Sequence, residues 1–172
     1  MAKHLGAHVA TTASSSKTDL VKGLGADVVV DYTTQAFETV LRDYDVVLDT
    51  VGGDTLGRSL QVLKPGGIVV SIAGPPDPAF AKRAGANPVV RLAIAALSFR
   101  VRQRARRRGV RYSYLFMKAS GDQLREITTL LDAGTIRPVV DRSFDFTATR
   151  EALAYVEEGR AKAGKVVIRM TS

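Results

Sequence analysis

Cysteine is absent from the 172 residues. That excludes a disulfide framework and any thiolate zinc site. Histidine is scarce: only His4 and His8 occur. Their spacing would suit a metal pair on a helix, but Gly6 stands between them and argues against one continuous helix. Both are read as surface or structural residues, and no metal site is expected. No run of about 18 apolar residues exists, so no membrane span is expected. Met1 to Gly6 lacks the apolar core of a signal peptide, and a cytoplasmic location is the expectation.

Acid is missing from one long segment. Residues 82 to 111 hold ten Lys or Arg and no Asp or Glu, whereas the rest holds 15 basic against 17 acidic residues. The net charge of +8 therefore belongs to one segment. Aromatics are few at 6%, but hydrophobic residues reach 45%, which suits a packed core rather than a disordered chain. Internal repeats are absent too, and the length suggests one domain.

What is present alternates. AHVATT reads as a short strand, and KTDLVKGLG as a helix closed by glycine. DVVVDY is a β-branched strand. QAFETVLRD puts Phe37, Val40 and Leu41 at helical spacing. YDVVLDTV is another strand. DTLGRSLQVLKPGG reads as a helix with Leu56, Leu60 and Leu63 on one face and Pro65-Gly66-Gly67 as its stop. GIVVSIAG follows as a strand. Apolar strands separated by helices predict a parallel sheet covered on both sides. PPDPAFAKRAGANP then reads as a loop, and VVRLAIAALSFRVRQRARRRG as one helical stretch. VRYSYLFM alternates like a strand. GDQLREITTLLDAGTI is an amphipathic helix and RPVVDRSFDF a strand-like run. TATREALAYVEEG is a helix with Thr147 or Thr149 as candidate N-cap, and GKVVIRM is the last strand.

These pieces, in this order, resemble the medium-chain dehydrogenase/reductase superfamily in its quinone-oxidoreductase-like branch. The resemblance is carried by AKHLGAHV, LGADVVVDY, YDVVLDTVGGDT, LKPGGIVVSIAG, RYSYLFMKASGDQL, LLDAGTIRPVVDRSF and GRAKAGKVVIR. It implies an NADP-dependent oxidoreductase without catalytic zinc, acting on a small carbonyl, enone or quinone. The implied fold is α/β, a Rossmann-like parallel sheet with flanking helices, incomplete. Residues 1–134 would form a truncated dinucleotide-binding domain. Residues 135–172 would be the C-terminal return segment of a catalytic domain, left to pack on the remnant or to be poorly ordered.

The resemblance also assigns residues. In a dinucleotide fold an acid ending the second strand bonds the ribose 2′-hydroxyl and repels a 2′-phosphate. Here the turn offers Ser14, Ser15, Ser16 and Lys17 instead, hydroxyls and an ammonium that suit a phosphate dianion. Ser14, Ser15 and Lys17, with Tyr32 against the adenine, map onto the NADP selector. A polar βα turn with a solvent lysine is the alternative. Thr50 and Val51 would face the cofactor. Gly74 would let the nicotinamide approach the backbone, and Leu115, Phe116 and Met117 would hold the carboxamide. For these apolar residues core packing is the alternative. Lys165 could reach phosphate, but a surface role at a strand end is favoured. Tyr112 and Tyr114 lie near the expected nicotinamide, with strand packing the favoured role, so no catalytic residue is assigned.

The family's glycine fingerprint and first Rossmann strand have no counterpart in these residues. Strands 2 (His8–Thr12) and 4 (Asp45–Asp49) would then be separated by a gap of about 10 Å, twice the usual spacing of about 4.8 Å. Either they close on one another or a partner fills the gap, since open parallel edges are costly. A shortened protein with little or no activity of its own is the expectation. Two other classes stay open: a non-catalytic nucleotide-binding or interaction module, and a basic surface-binding protein built on the arginines of 100–111. The resemblance runs through that cluster and favours a solvated helix end near the cofactor entrance. The partner expected is a small-molecule substrate, with no nucleic acid and no membrane. A homodimer through the 110–117 strand is plausible in the resembled family.

Overall fold

The computed structural model describes residues 1–170. Seven strands and eight α-helices lie among them. The chain groups into two compact units. One is Val30–Ala119, and the other joins Met1–Val29 to the segment from Ser120 onward.

Strand β1 (Ala10–Ala13) leads through a 3-10 turn at Ser15–Lys17 into helix α1 (Thr18–Gly23). Strand β2 (Val28–Asp31) is the hydrogen-bonded neighbour of β1. Asp27 fixes the turn before it. Its carboxylate takes Lys3 Nζ at 2.9 Å and the Val9 N–H at 2.7 Å. Among the described residues β1 pairs with β2 alone, so β1 does not close on the strand that matches family strand 4.

The larger unit contains a three-stranded parallel sheet in the order β3 (Tyr44–Asp49), β4 (Leu63–Ser71), β5 (Arg111–Tyr114). Helix α2 (Phe37–Val40) precedes β3, and α3 (Gly53–Ser59) connects β3 to β4. The expected stop at Pro65-Gly66-Gly67 is instead strand. Helix α3 ends at Ser59, and β4 begins at Leu63. The register jumps from Tyr44↔Leu63 to Val46↔Ile68, so Pro65 and Gly66 sit in a bulge where proline need not donate to the ladder. Gly66 there has φ +84°, which explains the glycine.

The segment after β4 corrects two more expectations. PPDPAF is not all loop: α4 (Pro78–Arg83) starts with Asp77 as N-cap, its carboxylate accepting the Phe80 N–H at 2.6 Å, and proline at the first helical position. The long helical stretch is two helices, α5 (Pro88–Leu97) and α6 (Phe99–Arg107). Ser98 separates them. It is fully buried, and its hydroxyl donates to the Ile94 carbonyl, a local bond that competes with continued helix.

Leu56 of α3, Leu60 just past its end, Ala105 of α6, Leu63 and Val69 of β4, and Val110 form the buried core. Both helices therefore cover the same face of the sheet. On the other face Val46 is 58% and Leu48 63% exposed, so cover on both sides is not realised there. Strand period explains the split: Val47 points into the core and its neighbours point away.

Beyond Ser120, helix α7 (Gly121–Asp132) is capped by Ser120. Strands β6 (Val140–Asp145) and β7 (Lys165–Arg169) pair in parallel with each other, joined by α8 (Thr149–Glu157). Residues 140–169 thus form a parallel βαβ unit. Phe144 packs against Tyr155, and Asp141 accepts from Tyr155 and from the Lys162 and Ala163 N–H groups. Neither threonine caps α8. Ala148 holds the cap position, and the Thr149 hydroxyl donates back to Phe146 O.

Candidate functional site

In an open parallel sheet, ligands bind outside the carboxyl ends of the strands. Three loops meet there in the larger unit, those that leave β3, β4 and β5 side by side. A polar network shapes them. Asp49, only 2% exposed, ends β3. Its Oδ1 accepts the Gly52 N–H at 3.0 Å and the Val51 N–H at 3.3 Å. Its Oδ2 accepts the Ser71 hydroxyl at 2.5 Å. Ser71 Oγ in turn accepts the Gly74 N–H at 2.8 Å. One carboxylate and one hydroxyl therefore satisfy the buried donors of two adjacent loops.

The third loop is tied in by Asp77 and Tyr112. Asp77 Oδ2 accepts the Tyr114 N–H at 3.0 Å, and Leu115 N–H donates to Ser71 O at 2.9 Å. Tyr112 Oη donates to Pro75 O at 2.5 Å. Burial, with Asp77 and Asp49 nearby, pushes the Tyr112 phenol well above its ordinary value of 10.0. The phenol is thus held neutral as a donor. Phe80 packs edge-on to Tyr114 at 5.2 Å and tilted to Phe116 at 5.8 Å.

Six of the expected site residues are brought to this edge. Thr50 and Val51 follow β3, Gly74 follows β4, and Leu115, Phe116 and Met117 follow β5. Val51 is 71% and Met117 85% exposed, which separates them from core packing. These three apolar side chains and Val51 offer a ligand exposed nonpolar surface beside the Asp49 loop. A Cβ at Gly74 would lie 2.7 Å from Tyr112 Oη, 2.8 Å from Ser71 Oγ and 2.9 Å from Leu56 Cδ2. The space at that glycine is filled by the protein's own side chains.

The remaining expected residues lie elsewhere. Ser14, Ser15 and Lys17 are on the turn after β1, where Ser14 Oγ is 3.2 Å from Ser16 Oγ and Lys17 is exposed. Tyr32 follows β2 and is 61% exposed. Lys165 opens β7 with its side chain exposed. The arginine cluster is not at the carboxyl edge. Gly109 O, just past α6, accepts the Gly66 N–H at 2.7 Å, at the amino end of β4. Helix α6 runs back along the sheet and carries its arginines to the opposite end.

Sequence reading missed Asp49, Ser71 and Asp77 as organisers. The signals were available. Each is a small polar residue that ends an apolar strand or precedes a helix-opening proline.

A family model described as zinc-binding dehydrogenase matches residues 24–168. The chain belongs to that family. Among its relatives, a mitochondrial NAD(P)H oxidoreductase of Danio rerio is 37% identical, covering 98% of this chain and 44% of its own length. A 2-methylene-furan-3-one reductase of Solanum lycopersicum is 32% identical, covering 98% of this chain and 35% of its own. The quinone oxidoreductase structure from Coxiella burnetii superposes with a TM-score of 0.73 at 25% identity, over 99% of this chain and 47% of that one. This zinc-binding dehydrogenase chain thus spans under half the length of these relatives.

The family's metal does not fit the residues present. Among the described residues no group of three or more His, Cys, Asp and Glu converges to hold an ion. No described helix is long and apolar enough to cross a membrane.

Proposed function

We propose that this chain is the cofactor-binding part of an NADPH-dependent oxidoreductase that reduces a small carbonyl, enone or quinone. The observation that carries the reading is the carboxyl edge of β3–β4–β5. There the Asp49–Ser71 network fixes the backbone of two loops beside exposed Val51, Leu115, Phe116 and Met117. The names of the relatives and of the matched quinone oxidoreductase support it.

A bound reduced nicotinamide would supply the hydride. This chain's residues would orient it. Thr50 and Val51 present the loop after β3. Leu115 to Met117 offer backbone groups to a carboxamide and a nonpolar wall to a ring. Gly74 keeps the loop after β4 tight against Tyr112. The Tyr112 phenol stays protonated and committed to Pro75 O, so its role is to position that loop.

Preference for NADPH over NADH is assigned to Ser14, Ser15 and Lys17. A turn with hydroxyls, an ammonium and no carboxylate favours a phosphate dianion. Tyr32, 61% exposed, is the proposed adenine contact. Strand β5 pairs only with β4 among the described residues, leaving its other edge for a copy of itself. Residues 110–117 are therefore the proposed dimer strand.

A thermal melt of the purified chain with NADPH or NADH tests the assignment. NADPH should raise the midpoint and NADH should not. A midpoint indifferent to both would overturn it.

A further inference from the structure

Helices α3 and α6 lie on one face of the β3–β4–β5 sheet, and a groove of about 500 Å³ runs between them. Asp54, Gly57, Arg58 and Gln61 line one side, and Arg104, Arg107 and Arg108 line the other. The spacing explains the second set: residues three and four apart on a helix share a face. Gly57 explains how the helices admit them. A Cβ there would lie 3.5 Å from Arg104 Nη1, so the guanidinium rests against bare backbone.

Charge makes this groove unusual. Arg58 is already engaged, 3.7 Å from Glu38 Oε1, 3.3 Å from Thr55 Oγ1 and stacked on the Phe37 ring at 5.3 Å. The guanidinium groups of Arg104, Arg107 and Arg108 have no ion-pair or hydrogen-bond partner among the described residues. The end of α6 favours cations through the helix dipole, which accounts for basic residues there. It does not account for four guanidinium groups converging on one depression with a single carboxylate, Asp54. Like charges three and four positions apart on a helix repel unless an anion joins them.

We propose that the groove binds a compact anion with adjacent phosphates. Guanidinium forks grip phosphate oxygens in pairs, and a diphosphate presents several such faces at once. The arginine end of the groove lies away from the proposed dinucleotide loops, because the end of α6 meets the amino end of β4, whereas Asp54 lies in the first turn of α3, just past the loop that leaves β3. Free inorganic polyphosphate and a nucleoside diphosphate share the chemistry.

The test is titration calorimetry of the full chain with inorganic pyrophosphate at about 0.15 M salt, where diffuse attraction is screened beyond about 8 Å. Saturable one-to-one binding is expected. R104Q/R107Q should weaken it by about tenfold or more, since it removes two charge-assisted contacts. R91Q/R100Q, which removes the same charge outside the groove, should leave it within about twofold. D54N should tighten binding, a gain that misfolding cannot mimic. A parallel titration with adenosine diphosphate separates the sources. Tighter binding that keeps its dependence on Arg104 and Arg107 assigns a nucleotide, and weaker binding assigns free polyphosphate. Absence of saturable pyrophosphate binding, or equal losses in both double variants, would overturn the proposal.

Discussion

Ser71 donates its hydroxyl proton to Asp49 at 2.5 Å, from the last residue of β4 to the last residue of β3. Both are buried, at 0% and 2% exposure. This one contact locks the ends of neighbouring parallel strands, and each partner then holds the backbone of its own following loop.

Replacing either partner should loosen both loops. Asp49→Ala leaves the Gly52 N–H and the Ser71 hydroxyl without their acceptor, and a buried bond to a charged group contributes about 1.5–3 kcal/mol. Urea unfolding of D49A should show a loss of that size. S71A should lose about 1–3 kcal/mol, because it leaves buried Asp49 Oδ2 and the Gly74 N–H without their partner. A D49A midpoint equal to that of the unmodified chain would contradict this account.

Gly74→Ala should destabilise by overpacking. Its Cβ would meet Tyr112 Oη at 2.7 Å, and such insertions cost about 1–3 kcal/mol. In G74A/Y112F the nearest clashing atom is gone. The double variant should therefore lose less than the two single losses combined. Strict additivity in denaturant melts would mean that the two residues do not press on each other.

Two phenols should resist alkali. Tyr112 is pushed upward by burial, and Tyr155 by its hydrogen bond to Asp141. A raised phenol favours the folded state while it is neutral. Its contribution is complete below the ordinary value of 10.0 and is lost as pH climbs through the raised one. Absorbance titration should show the latest ionisation coinciding with unfolding, and Tyr112→Phe should remove part of it. An unchanged curve for Y112F would assign the late step elsewhere.

Acid should act on the βαβ unit through Asp141. The Ala163 N–H, the Tyr155 hydroxyl and the Lys162 N–H all donate to its carboxylate, holding it below the ordinary 3.8. A lowered carboxyl stabilises the fold above its unfolded value, and that help disappears as pH falls through the lowered one. Asp141→Asn should flatten the stability profile below pH 3.8. Melts from pH 5 downward, about the range where carboxylates titrate, would reveal this. Parallel profiles for D141N and the unmodified chain would remove Asp141 from the acid transition.

The phosphate selector has its own test. Lys17→Ala should reduce NADPH affinity by about tenfold, the scale of one charge-assisted contact, and leave NADH unaffected. Equal loss for both cofactors would make Lys17 a nonselective contact.

Strand identity was legible because VVVD, DVVLD and GIVVS are β-branched runs too short for helices and bounded by turn residues. The family resemblance placed Thr50, Val51, Gly74 and Leu115 at strand ends. Helix α4 was obscured by its prolines, although Asp77-Pro78 is a start signal when the aspartate can cap. The break at Ser98 was invisible in a continuous helical pattern, because it depends on burial of that hydroxyl.

Sequence alone determined the order of elements, since hydrophobic period and turn chemistry are local properties of the chain. It also determined that β3, β4 and β5 would be parallel, because each pair is separated by a helical crossover. Tertiary structure decided which strands pair and which faces remain open. It brought Asp49 to Ser71 across 22 positions. It also carried the arginines of α6 to the amino end of the sheet and set them against Gly57. Those outcomes depend on contacts between segments distant in sequence, which no local pattern encodes.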